Sequence, residues 1–574
     1  MRYPIDRVTI DRRVLTITLW AILLAIVTGF VAQALVGLIG LFTNIAFYGR
    51  FSTQFTSPAN HHLGWMVLFV PMIGGLIVGL MARFGSKAIR GHGIPEAMEQ
   101  VLTNESRIQP RVTLLKPLSA AISIGTGGPF GAEGPIIATG GAMGSVLGQL
   151  LHTTSSERKT LLAAGAAAGM AATFGSPVSA VLLAVELLLF EFRARSIVPV
   201  ALAAAAATAV RMLYAGTEPV FAMPLLARPS EQALALYALV GALIGWLAVY
   251  VTRAVYWIED LFEKLPIHWM WWPAIGGLAV GAVGIVAPRT LGVGYDNIEG
   301  LVSGRLAGRV VIFLCVMKFL SWSISLGSGT SGGTLAPLFT IGGATGVILG
   351  ELIARELPNS GIDPRICALV GMAAMFAGAS RALLASVVFA FETTLQPMGL
   401  LPLLAGCTAG YLVSALLMRN TIMTEKLARR GVRVPAEYVA DFLDQIDVGD
   451  ACSTRVVTLP ADSTLGDAGH VLDTHQGFPV VDEALHVIGV VTRRDFLGKP
   501  PTTRVRDLVR RPPSVVFADM SLREAADHMV REDVGRLPVV ARESPRTLIG
   551  IITRSDLLEA HGRRLREESR LSSD

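Results

Sequence analysis

Residues 125–148 read GTGGPFGAEGPIIATGGAMGSVLG, and residues 327–350 read GSGTSGGTLAPLFTIGGATGVILG. Laid over one another without a gap, they match at Gly125/Gly327, Gly131/Gly333, Pro135/Pro337 and Gly148/Gly350. Further on, Gly165, Ala167, Ala168 and Glu186 lie over Gly371, Ala373, Ala374 and Glu392, and the offset moves only from 202 to 206. Alanine- and glycine-rich membrane helices resemble one another by composition, but composition does not bring prolines and glycines into register. Two related halves that meet at equivalent Gly-rich breaks are the organisation of a secondary transporter or a relative, with the substrate site at the breaks.

The composition agrees with a membrane protein. Only 16% of the 574 residues are charged, against about 25% in ordinary soluble domains, and the mean hydropathy is +0.55. The charge is uneven. Residues 161–185 carry none, whereas 424–574 are dense in Arg, Asp and Glu, which predicts a membrane domain followed by a soluble one. The net charge of +5 does not call for nucleic acid. Arg2, Arg7, Arg12 and Arg13 precede the first apolar run and Arg429, Arg430 and Arg433 follow the last, so the positive-inside rule puts both chain ends in the cytoplasm. The run from Val14 to about Tyr48 has no small-residue cleavage site and reads as a long first membrane helix. Four cysteines lie far apart with no pair motif, which predicts neither disulfides nor a metal cluster. Many later apolar segments fall short of the ~20 residues of a clean span. Such short, broken pieces are tolerated only within protein or along a cavity.

Four breaks open helical segments: GHGIPEA (91–97), GPFGAEGP (128–135), GTSGGTLAP (329–337) and the start of 420–430. A helix N-terminus presents unpaired amides and a partial positive charge, glycine lets a ligand approach the backbone, and Pro in the first turn needs no amide partner. Converging termini of this kind can dehydrate an anion without a full cationic charge that would hold it too tightly. Glu133 is the only charge between Lys116 and Glu157. Its carboxylate falls where an anion would sit, so that it can occupy the site as a tethered anion or leave it to a mobile one. An intramembrane acid is a functional candidate by default; the alternative is a carboxylate that caps a neighbouring helix.

A second repeat fills the tail. ADSTLGDAGHVL (461–472) parallels ADMSLREAADHM (518–529), GFPVV (477–481) parallels GRLPVV (535–540), and GVVTRRDFL (489–497) parallels GIITRSDLL (550–558). Helix, β-branched strand, then strand into helix predicts a small α/β module occurring twice.

GHGIPEA, GAEGP and GGTLAP, in this order and at these separations, resemble the three anion-filter signatures of the CLC chloride channels and transporters, and the tail resembles a pair of CBS domains. The resemblance covers nearly the whole chain. It implies an all-α polytopic membrane domain of two inverted halves with broken helices, about seventeen in all, plus an α/β tandem CBS domain. The expected boundaries are 1–431 for the membrane domain, 432–446 for a linker, 447–501 and 502–563 for the CBS modules and 564–574 for a polar tail. It also implies a homodimer in the lipid bilayer with a pore in each subunit, transporting inorganic anions, chloride by default, with no enzymatic activity. The role of gate falls on Glu133, and Lys116 matches the family's basic residue near the site. Backbone amides around His92, Gly93, Ile94, Gly134, Thr334 and Leu335, together with Met423, are the expected anion-binding positions.

Three departures qualify the match. The family's filter serine is His92 here, and its filter tyrosine aligns with Met423, so both donor hydroxyls are missing; a ring N–H of His92 can replace one of them. The internal proton acceptor of the exchanging members falls on Leu187, which cannot carry a proton, while Glu186 matches a glutamate with a structural role. The leucine at 187 favours a channel over the alternative, a proton-coupled anion exchanger. A divalent-cation transporter would need clustered oxygen ligands, whereas Glu96, Glu133, Glu186 and Glu392 are widely spaced. A membrane-bound sensor would not need matched Gly-Pro breaks. In the tail, Thr492/Asp495 and Thr553/Asp556 match the hydroxyl and carboxylate with which CBS pairs often hold the ribose of ATP, ADP or AMP; the other reading is a purely dimerising module.

Overall fold

The computed structural model describes residues 1–2, 12–435, 442–444, 446–469, 471, 475–560 and 562; Arg7, part of the linker and the expected tail 564–574 lie outside the described residues. The chain divides into two units, Thr9–Ala436 and Met1–Val8 with Glu437–Asp574.

Among its described residues the first unit has seventeen α-helices, from Arg12–Tyr48 to Glu425–Arg429. Eight helical segments among the same described residues are long and apolar enough to cross a bilayer. The sequence repeat extends to the whole element order. Arg12–Tyr48 corresponds to Glu231–Glu263, Phe69–Phe84 to Trp272–Val286, Ile94–Thr103 to Tyr295–Val302, and Val112–Gly125 to Arg309–Gly327. Glu133–Leu150, Ser155–Phe174, Pro177–Ala184 and Ala194–Ala215 then correspond to Leu335–Glu356, Pro364–Ser380, Leu383–Thr394 and Leu400–Leu417.

Ser155–Phe174 is buried on nearly every face, as an all-round apolar helix must be. Its small residues let it lie directly on Glu133–Leu150. A Cβ on Gly140 would overlap the Gly165 carbonyl, and one on Gly165 the Gly140 carbonyl. Gly342 and Gly371 make the same crossing in the second half. Small residues at such crossings are the usual route to close helix packing in membranes. The first helix instead leaves Leu15, Leu19, Leu23 and Phe30 exposed, the apolar surface that lipid covers.

The halves also brace one another through carboxylates. Glu186 accepts from the amides of Leu384 and Ala385, both at 3.0 Å, at the start of Leu383–Thr394. Glu392 accepts from Val178 at 3.0 Å and Ser179 at 2.8 Å, at the start of Pro177–Ala184. Each acid caps the short helix of the opposite half, satisfying amides that have no intrahelical partner.

The second unit contains two three-stranded sheets, Leu459–Pro460, Gly477–Val481, Val487–Thr492 and Val516–Phe517, Arg536–Val540, Leu548–Thr553. In each, the first strand is parallel and the third antiparallel to the middle one, with a register shift at Val480/Val481 and at Val539/Val540. The two modules interlock across the expected edges. Leu443 and Ile446, assigned to the linker, and Val448, assigned to the first module, pack into the core of the second module with Val516 and Leu537. Val505 and Leu508, assigned to the second module, lie in the core of the first. A sequence repeat identifies equivalent segments but not which copy each one packs against. At the chain start, Arg2 exchanges backbone hydrogen bonds with Pro513 and Val515 and so packs with this unit.

Candidate anion site

The two halves meet backbone to backbone at the breaks. Gly131 donates to the Gly333 carbonyl at 3.1 Å and Gly333 to the Gly131 carbonyl at 2.9 Å, an antiparallel bridge between the very glycines that the repeat aligns. Glycine at the bridge leaves the space that the Glu133 carboxylate occupies. A Cβ on Gly131 would fall on the Glu133 carboxylate, and one on Gly333 would stand 2.9 Å from the Gly134 amide nitrogen and 3.0 Å from Glu133 Oε2. The GHG break closes on the same place, since a Cβ on Gly134 would overlap the His92 carbonyl, and Gly91 donates to the Thr330 carbonyl at 2.9 Å.

Glu133 is 1% exposed and opens the helix Glu133–Leu150. Gly134, Ile94 and Leu335 lie in the first turns of their helices and Thr334 immediately precedes one, where backbone amides have no intrahelical acceptor. In each of these helices proline follows within the first three positions (Pro95, Pro135, Pro337), so no amide is left stranded there. His92 is buried, with Nδ1 lacking any hydrogen-bond partner among the described residues.

Two expected ligands are otherwise engaged. The Gly93 amide donates to Glu96 Oε2 at 2.7 Å, because Glu96 at the third helical position reaches back over its own N-terminus. The Met423 amide donates to Thr421 Oγ1 at 3.2 Å, and the Met423 side chain is fully buried in the apolar core that also holds Ile94 and Leu335. Position 423, where the resemblance puts a donor hydroxyl, is thus filled by a buried thioether side chain that has no hydrogen to donate. Leu187 is likewise buried and apolar.

Lys116 is fully buried and donates to the carbonyls of Ile89 at 2.9 Å and Gly91 at 2.8 Å, which satisfies a charge that could not be buried bare. A residue not singled out from the sequence does the same in the other half. Lys318 donates to Thr290 at 3.1 Å and Gly292 at 3.2 Å and is also fully buried. The repeat offset of 202, applied to Lys116, lands on Lys318. The second missed residue is Tyr295, whose hydroxyl donates to Glu133 Oε1 at 3.0 Å. GVGY (292–295) repeats GHGI (91–94) at an offset of 201, and that was the available signal.

A cavity of about 670 Å³ leads to His92, Gly93 and Lys116. Lys87, Arg90, Lys116, Lys426, Arg429 and Arg430 line it against Glu96, Glu99, Glu259 and Glu263, six cations to four carboxylates. An excess of cationic side chains around a cavity raises the local concentration of anions.

In the CBS unit each Thr–Asp pair is brought together as a cap. Thr492 N and Oγ1 donate to Asp495 Oδ2 at 2.9 and 2.7 Å, and Thr553 N and Oγ1 donate to Asp556 Oδ2 at 2.7 and 2.8 Å.

Two inverted helical repeats, broken at matched positions and bringing their helix N-termini together at one buried point, define a multi-pass membrane protein of the transporter and channel class. Residues 73–415 match the voltage gated chloride channel family, and residues 448–500 and 505–563 each match the CBS domain. The chain belongs to that chloride channel family. It is 29% identical over 414 residues to the H(+)/Cl(-) exchange transporter ClcA of Vibrio campbellii, covering 70% of this chain and 88% of the relative. It is 31% identical over 365 residues to the chloride channel protein CLC-f of Arabidopsis thaliana, covering 59% of this chain and 46% of that longer protein, so the chain spans about half that relative's length. Among solved structures, a slow cyanobacterial Cl-/H+ antiporter superposes with a TM-score of 0.66 at 22% identity, covering 73% of this chain and 98% of that one.

Proposed function

We propose that the chain carries inorganic anions, chloride first among them, across the cell membrane through a pore in each subunit of a homodimer, and that Glu133 is the gate. Its carboxylate sits in the glycine seat of Gly131 and Gly333, at the point where the helix N-termini converge. A cytoplasmic position of both ends and the CBS unit is supported by the basic residues before the first helix and after the last.

The mode we propose is passive conduction. The observation that carries it is Leu187: the acceptor position of the exchangers is buried hydrocarbon, and the neighbouring Glu186 is committed to the amides of Leu384 and Ala385. Glu191 is engaged as well, with Lys159 at 3.1 Å. The second reading, proton-coupled exchange, is favoured by the similarity to an exchange transporter. Purified protein in chloride-loaded liposomes, with chloride efflux and external pH recorded together, separates the two. Efflux without proton uptake supports the channel; proton uptake in a fixed ratio to chloride replaces it with the exchanger.

The glycine seat supplies an independent check. In Gly131→Ala the new methyl and the carboxylate cannot share one place, and a side-chain end yields more readily than backbone. Anion flux is expected to rise towards that of Glu133→Gln while the protein stays folded. Wild-type flux in a folded Gly131→Ala protein would mean that the seat is not where the gate acts.

The Thr492/Asp495 and Thr553/Asp556 pairs are the proposed regulatory element, with adenine nucleotide as ligand. ATP, ADP or AMP at about a hundredfold over Kd stabilises its site by about 2.7 kcal/mol. The melting temperature of the full chain is expected to rise accordingly, and the rise to vanish in Asp495→Ala/Asp556→Ala. An equal rise in that double variant would remove these residues from the proposal.

A further inference from the structure

The two oxygens of the Glu133 carboxylate have unequal surroundings. Oε2 lies against the Gly131/Gly333 seat and has no hydrogen-bond partner among the described residues. Oε1 accepts from the Tyr295 hydroxyl at 3.0 Å. Tyr295 is the first residue of the helix Tyr295–Val302, so the donor comes from the second half and the acceptor from the first.

Its aim is set by two constraints. Gly294 just before it is left-handed at φ +74°, and a Cβ there would meet Asn297 Nδ2 at 3.1 Å and Lys318 Nζ at 3.3 Å, so glycine turns the chain into the helix at this point. The ring stands edge-on to Phe174 at 5.7 Å and to Phe221 at 5.9 Å, and Phe174 stands edge-on to Phe389 at 5.0 Å. A phenol wedged in this way cannot swing with the carboxylate, so when Glu133 leaves its seat the bond must break.

We propose that Tyr295 is the latch of the gate: a positioning residue whose hydroxyl holds the Glu133 carboxylate in the pore and sets how often it leaves. The second-half copy of the GHGI break thus serves the gate, where the first-half copy forms part of the filter. The proposal rests on Glu133 being the gate.

The test is chloride efflux from liposomes for wild type, Tyr295→Phe, Glu133→Ala and Glu133→Ala/Tyr295→Phe at matched protein density. Tyr295→Phe keeps the ring contacts and removes only the donor. Efflux is expected to rise about tenfold, the weight of one hydrogen bond to a charged group, while the double variant matches Glu133→Ala. A merely structural Tyr295 would lower flux, and would do so in both backgrounds. Wild-type or slower efflux from Tyr295→Phe, or the same change with and without the carboxylate, overturns the latch. If Glu133→Ala itself flows like wild type, the gate reading fails and takes the latch with it. Should Tyr295→Phe not fold, 3-fluorotyrosine at position 295 keeps the ring and strengthens the donor. Efflux must then slow at least about twofold, and unchanged efflux overturns the proposal.

Discussion

Chloride efflux through Glu133→Gln is expected to exceed wild type by roughly 10- to 100-fold, and any proton movement coupled to chloride should disappear. A carboxylate at 1% exposure persists in place only because the helix terminus and the Tyr295 hydroxyl receive its charge. Glutamine has the same shape but no charge, so it cannot act as a tethered anion. Hydrogen bonds to a charged group contribute about 1.5–3 kcal/mol each, and about 1.4 kcal/mol is tenfold in an equilibrium. The measurement is efflux from chloride-loaded liposomes with simultaneous pH recording. Equal wild-type and Glu133→Gln efflux would mean that the pore does not pass through this seat.

Gly140→Ala and Gly342→Ala should each destabilise the membrane unit by about 3 kcal/mol, the upper end of overpacking in a close-packed core, with a matching loss of folded protein on size exclusion. Their Cβ atoms would overlap the carbonyls of Gly165 and Gly371, which are backbone in the middle of a packed helix and cannot turn aside. The adjacent glycines are the control. A Cβ on Gly141 would find its nearest neighbours at 3.6 Å and one on Gly343 at 3.5 Å, ordinary contact distances. Gly141→Ala and Gly343→Ala should be neutral, or stabilising by about 0.5–1 kcal/mol through helix propensity. Thermal melting in detergent separates the pairs. Equal melting of Gly140→Ala and Gly141→Ala would refute the crossing.

Much of this molecule is determined by sequence alone. The repeat at offsets 202 to 206 predicts two halves, and the glycines and prolines in register predict helices broken at matched points, because Gly and Pro act locally, through φ and the amide, wherever the chain runs. The lone Glu133 among apolar residues, the leucine at 187 beside Glu186 and the paired Thr–Asp motifs are legible because chemical identity needs no partner to be read. What the tertiary structure alone decided is which groups are spent on one another. Glu186 and Glu392 cap helices of the opposite half, Glu96 takes the Gly93 amide, and the CBS modules exchange their leading segments. Tyr295, 162 residues from Glu133, donates to its carboxylate. A hydrogen bond is fixed by distance and direction in space, and residues far apart in sequence acquire both only when the two halves close on the Gly131/Gly333 bridge.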